Sequence, residues 1–195
     1  FKDNVADAGG AIYLSTVLDP EENPDHVRAA ATITGATFTG HGNAIYATGV
    51  LNTNNCVFYK NEGKSAGAAV STTGGSVYTD NGSVFVENST TNQGGAVSLY
   101  GDTVLTESKF YRNSSTANRA GALLATGASQ ADASFAAKNV WFEGNTALGG
   151  NGGAVVLTGV GSAMLENCTF KSNAATTDES TPPDNASNTL RLPTW

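Results

Sequence analysis

Two kinds of short run recur along this chain, and both alternate apolar with polar positions. One kind is AIYL, AIYA, AVSL, ALLA and AVVL; the other is GVLNTNNCVF, GSVYTDNGSVF, DTVLTESKF and GSAMLENCTF. A period of two marks a half-buried strand. No stretch sustains a helical period, because Gly and Asn interrupt every candidate. The pattern predicts many short strands joined by tight corners.

Each run is tied to one of two motifs. Phe-x-x-Asn occurs at Phe1/Asn4, Phe58/Asn61, Phe85/Asn88, Phe110/Asn113, Phe142/Asn145 and Phe170/Asn173, and Phe38 heads a degenerate copy with His41 in the Asn place. A glycine motif follows: Gly9-Gly10-Ala11-Ile12, Gly42-Asn43-Ala44-Ile45, Ala66-Gly67-Ala68-Ala69, Gly94-Gly95-Ala96-Val97, Ala120-Gly121-Ala122-Leu123 and Gly152-Gly153-Ala154-Val155. Phe-to-Phe steps are 37, 20, 27, 25, 32 and 28 residues. A period in this range means a solenoid or array.

A turn of about 28 residues, made of strands and corners, fits one coil of a parallel β-helix whose coils stack about 4.8 Å apart. Roughly six coils are expected over residues 1–175, with 176–195 a Pro/Ser/Thr-rich tail acting as linker or cap. Equivalent residues then form columns. Phe forms an inward core column, and Asn forms a ladder in which each amide bonds the next. The glycines turn a corner, because Gly reaches positive φ without steric cost. These motif residues are read as structural.

GGA[I/V/L] paired with FxxN resembles the repeat signature of the chlamydial polymorphic outer-membrane proteins, and similar repeats occur in other large surface proteins. The resemblance covers roughly Phe1–Ala175. It implies a right-handed β-helix displayed outside a cell, in the manner of an autotransporter passenger. The C-terminal membrane barrel of that family is not in this sequence.

Composition narrows the function. Charged residues are 14% of the 195, the formal net charge is −7, and the ten Lys and Arg do not cluster. That argues against a phosphate-binding or nucleic-acid surface. The exterior is expected to be a neutral coat of Ser, Thr, Asn and Gly, common on extracellular fibres and adhesins. No apolar run spans a membrane. The chain opens inside a repeat, at Phe1-Lys2-Asp3-Asn4, and reads as a segment of a longer polypeptide.

Cys56 and Cys168 each precede a repeat Phe by two residues, in a column with Ala36, Ser83, Ser108 and Val140. A disulfide needs Cα atoms within about 7 Å. Four coils separate the pair by roughly 19 Å, so both thiols are expected to be free.

Departures from the period are the candidate contact sites. Residues 15–28, STVLDPEENPDHVR, form an insertion with clustered carboxylates. Asp19, Glu21, Glu22 and Asp25 are weak calcium candidates, since such clusters suit a hard cation, but the spacing matches no EF-hand. No other cofactor is expected. A second insertion is Thr126–Asp132. Thr32, Thr34, Thr37 and Thr39 raise an ice-binding face, which needs the same pair in successive coils; the corresponding places read Asn52/Asn54, Tyr78/Asp80 and Leu105/Glu107. The LGGNGG loop at 148–153 lacks the helix and Lys-Ser/Thr of a phosphate cradle. Sequons fall at Asn81, Asn88, Asn113, Asn167 and Asn185. As candidate acceptors we carry forward Asn81, Asn113, Asn167 and Asn185, with Asn185 foremost because Asn113 belongs to the expected ladder.

The enzymatic alternative, a polysaccharide lyase or hydrolase, needs paired carboxylates. Asp102, Glu107, Glu143 and Glu166 fall in different columns, and Lys109, Arg112 and Lys138 face no acidic cluster. Neither His26 nor His41 has a nucleophile at recognisable spacing. The leading expectation is a non-enzymatic, extracellular structural or adhesive segment of a cell-surface or filament protein. Its partners would be other copies, neighbouring domains, or cell-surface glycans or proteins. Partner contact is expected on the two insertions, the acidic one first. A glycan-binding module is the alternative, with Trp141, Tyr59, Tyr78 and Tyr111 as stacking faces.

Overall fold

The computed structural model describes residues 1–4, 6, 8–15, 28–116, 118–127 and 133–176. Among them there is no helix, and every ladder is parallel. The strands stack in four columns around one axis. The first stack is β1 (Ile12–Leu14), β4 (Ile45–Ala47), β8 (Val70–Thr72), the start of β12 (Val97–Thr106), β15 (Leu123–Thr126) and β19 (Val155–Thr158). The second is β2 (Ala30–Thr34), β5 (Val50–Asn54), β9 (Ser76–Asn81), the end of β12, β16 (Ser134–Lys138) and β20 (Ser162–Glu166). The third is β3 (Thr37–Thr39), β6 (Val57–Tyr59), β10 (Val84–Val86), β13 (Lys109–Tyr111), β17 (Trp141–Glu143) and β21 (Thr169–Lys171). The fourth is β7 (Glu62–Gly63), β11 (Ser89–Thr90), β14 (Ser114–Ser115), β18 (Thr146–Leu148) and β22 (Ala174–Thr176). This is a parallel β-helix of six coils, as the repeat predicts.

Phe residues stack inside the third stack from Phe1 to Phe170, with ring centroids 4.5–5.0 Å apart and planes within 10°. Phe38, Phe58, Phe85, Phe110 and Phe142 are wholly buried. Burial of each contributes roughly 1.5–3 kcal/mol. Beside them runs the amide ladder. The Asn113 Nδ2–H group donates to Asn145 Oδ1 at 3.0 Å and to the Phe85 carbonyl at 3.0 Å. Asn113 Oδ1 in turn accepts from Asn88 Nδ2 and from the Asn88 backbone N–H. Asn61, Asn88, Asn145 and Asn173 continue the pattern. These donors and acceptors are buried, so the ladder satisfies groups that would otherwise cost about 1–3 kcal/mol each.

The corners use left-handed backbone. Three residues before each Phe stand Gly35, Asn55, Gly82, Glu107, Asn139 and Asn167, all with φ of 50–71°. Two residues after it stand Asp3, Gly40, Lys60, Glu87, Arg112, Gly144 and Ser172, with φ of 50–73°. The glycine motif supplies the third corner. Its first position is left-handed at Gly9, Gly67, Gly94, Ala120 and Gly152, whereas in the second copy Asn43, at φ 62°, takes that role; its second position sits against the next coil, where a Cβ on Gly95 would lie 2.0 Å from the Gly121 carbonyl oxygen.

Two alignments differ from the sequence reading by one residue. Val70 pairs with both Ile45 and Val97, so the third glycine motif is Gly67-Ala68-Ala69-Val70. Gly67, at φ 69°, then fills the place of Gly94. The Thr32/Thr34 columns continue through Asn52/Asn54 to Thr79/Asn81 and Val104/Thr106. Tyr78, Asp80 and Leu105 point inward instead.

Candidate functional site

The outer surface of the third stack brings together three of the four aromatics named as stacking faces. Strand alternation sends the Phe inward and its two neighbours outward. One outer column reads Val57, Val84, Lys109 and Trp141; the other reads Tyr59, Val86, Tyr111 and Glu143. Val57 and Tyr59 are 37% and 38% exposed, and Val84, Val86, Tyr111 and Trp141 are half-buried. Tyr59 and Tyr111 stand two coils apart, about 10 Å along the axis. Tyr78 does not join them. It is 1% exposed inside the second stack, because β9 pairs with β12 in the register that turns it inward.

Charged groups border this strip. Glu87 Oε1 accepts from Arg112 at 2.9 Å, and Lys60 lies 3.7 Å from Glu87 and over the Tyr59 ring. Glu143 accepts from Lys171 at 2.8 Å and from Trp141 Nε1–H at 2.9 Å. The Lys171 hydrogen bond leads in holding the Glu143 carboxyl below its ordinary value. These pairs are exposed and contribute little stability, but they fix side-chain positions around the strip.

The carboxylates named for acid–base chemistry are engaged separately. Asp102 Oδ1 accepts from Ser134 N–H and Oγ, Glu166 pairs with Lys138 at 2.7 Å, and Glu107 occupies a left-handed corner. Arg112 and Lys138 each face one carboxylate rather than a cluster. Among the described residues, no group of three or more His, Cys, Asp or Glu is placed to hold a metal ion. Asp19, Glu21, Glu22, Asp25 and His26 lie outside the described residues, as do Asn185, the tail and most of the second insertion.

A buried carboxylate escaped the sequence reading. Asp80 is fully inside the helix, stacked between Thr53 and Leu105. Its Oδ1 accepts from Thr53 Oγ1 at 2.5 Å, and its Oδ2 accepts from Ser108 Oγ at 2.5 Å and Ser83 N–H at 3.3 Å. Tyr78 Oη lies 2.8 Å from Thr53 Oγ1 and extends the chain. Burial raises the Asp80 carboxyl above its ordinary value of 3.8, and the hydrogen bonds from Ser108, Ser83 and Thr53 oppose that rise only in part. The signal was present: Ser83 and Ser108 put hydroxyls in a column that otherwise holds Cys, Ala or Val.

Cys56 and Cys168 are both free. Asn113 is fully buried with Nδ2 engaged in the ladder, so it is withdrawn as a glycosylation acceptor. Asn81 and Asn167 are exposed.

The family described as "Right handed beta helix region" matches residues 23–182. No curated protein and no solved structure matches the chain.

Proposed function

The chain belongs to the right-handed β-helix family, and we propose that it is a rigid, non-catalytic adhesive segment of an extracellular surface or filament protein. Its contact surface is the outer face of the third stack. The observation that carries this reading is the strip of Val57, Tyr59, Val84, Val86, Tyr111 and Trp141, held flat on strands whose inner side is committed to the Phe stack. Apolar and aromatic side chains on a rigid sheet, bordered by hydrogen-bonding charges, suit a glycan. Rings stack on sugar faces, and Lys109, Glu87 and Arg112 reach hydroxyls at the edges.

The neutral hydroxyl- and amide-rich exterior supports an extracellular setting, and so does the resemblance of the FxxN/GGA repeat to the polymorphic outer-membrane proteins. Glycan-array binding of residues 1–195 tests the reading. Saturable binding to one glycan class is expected; an array without signal, together with self-assembly into filaments, would replace the ligand by a second copy.

A further inference from the structure

The chain has six tyrosines, and one pair of them stands in register on neighbouring coils, Tyr13 of β1 and Tyr46 of β4. Strand alternation turns both side chains outward from the first stack, since Ile45 and Ala47 on either side of Tyr46 are buried. Their rings lie face to face, with centroids 5.1 Å apart and planes 12° apart. Register keeps the other four away from one another. Tyr59 pairs with Thr39 and Val86, and Tyr111 with Val86 and Glu143. Tyr78 pairs with Leu51 and Thr103, and Tyr100 with Thr126.

Parallel strands in register place equivalent atoms of the two side chains over one another. The ring carbons beside the Tyr13 oxygen therefore face their counterparts on Tyr46. Burial first, and the nearby Tyr13 phenol second, raise the Tyr46 phenol above its ordinary value of 10.0, so at neutral pH Tyr46 loses a proton together with any electron it gives up. Tyr13 is 59% exposed and Tyr46 is half-buried. An oxidant can reach the pair, and Tyr13 has room to swing out of the stack as a bond forms.

We propose that Tyr13 and Tyr46 are an oxidative cross-linking site, joined ring carbon to ring carbon as dityrosine by hydrogen peroxide and a haem peroxidase. The peroxide takes one hydrogen atom from each phenol and leaves as two waters. The two phenoxyl radicals pair their electrons in a new bond between carbons ortho to the oxygens. Each of those carbons then loses its hydrogen as a proton, and each oxygen gains one, which restores both phenols. The bond ties β1 to β4 and closes the stretch of chain that contains residues 15–28. The two thiols make no such tie, because Cys56 and Cys168 are free. The inference rests on the stacked pair and not on the adhesive strip.

The test treats a dilute solution of the 195-residue chain with a haem peroxidase and limiting hydrogen peroxide, isolates the monomer by gel filtration and maps its peptides by mass spectrometry. The monomer should show dityrosine fluorescence. One peptide pair should be joined through Tyr13 and Tyr46, lighter by two hydrogens than its separate parts, with the peptides of the other four tyrosines unlinked. Tyr13→Phe keeps a stacked ring but removes the phenol; it should lose the monomer signal while melting close to the parent. A monomer without dityrosine, a link through other tyrosines, or a signal that survives Tyr13→Phe would overturn the proposal.

Discussion

Inside the third stack the column is one residue type repeated: Phe38, Phe58, Phe85, Phe110, Phe142, Phe170. Inside the second stack the neighbouring column reads Ile33, Thr53, Asp80, Leu105, Ala137, Leu165. Both columns lie in the same core on the same coils. The first works by identity, since parallel rings and matching amides need the same group on each rung. The second works by local compensation, since a polar rung is tolerated where the adjacent coils supply its hydrogen bonds. A repeated column therefore transmits a defect to both neighbours, while a mixed column confines it.

The largest effect should come from interrupting the repeated column. Phe85 is wholly buried between Phe58 at 4.8 Å and Phe110 at 4.5 Å. Phe85→Ala should destabilise by about 3–5 kcal/mol in denaturant unfolding. Hydrogen exchange should rise in the coils on both sides. Next comes Asn113→Ala, which strands the Asn88 N–H and the Phe85 carbonyl and should cost about 1–3 kcal/mol.

In the mixed column the expected signature is pH dependence. Burial raises the Asp80 carboxyl in the folded state. A raised folded value favours the protonated, folded form. The contribution is fully present below the ordinary value of 3.8 and is lost as pH rises through the raised value. The exposed Glu143, held low by Lys171, acts in the opposite direction. Comparing the chain with Asp80→Asn isolates the buried group: the stability difference between the two should move in favour of the Asn variant as pH rises above 3.8. A pH-independent difference would place the proton elsewhere. The smallest change is Thr103→Val. The Thr103 hydroxyl, in register with Tyr78 and Phe135, is buried without a partner, so the variant should gain about 1 kcal/mol in thermal or denaturant unfolding.

The repeated column was legible in the sequence because identity is visible as a period. Phe-x-x-Asn names the two groups that stack, and the first glycine of each GGA names a corner. The other two corners were less visible. Five of six residues before the Phe corner are Gly or Asn, a readable signal, but Lys60, Glu87 and Arg112 carry no mark of left-handed backbone. Asp80 was hidden because a carboxylate in an alternating run is as easily outside as inside, and only register with Thr53 and Leu105 decides it. The same one-residue ambiguity misplaced Tyr78 among the exposed aromatics. The Phe38 coil was visible as a 20-residue step, but a short step shows that residues are missing and not from which corner.

The adhesive account stands on the separation of an inner column that holds the fold from an outer strip that makes contact. The most direct measurement is glycan binding and melting temperature for Tyr59→Ser/Tyr111→Ser in one preparation. Both side chains face outward at the edge of the Phe stack. The account predicts binding reduced by ten-fold or more, about the loss of one to two stacking contacts, with a melting temperature close to that of the parent. Full binding by the double variant would contradict it.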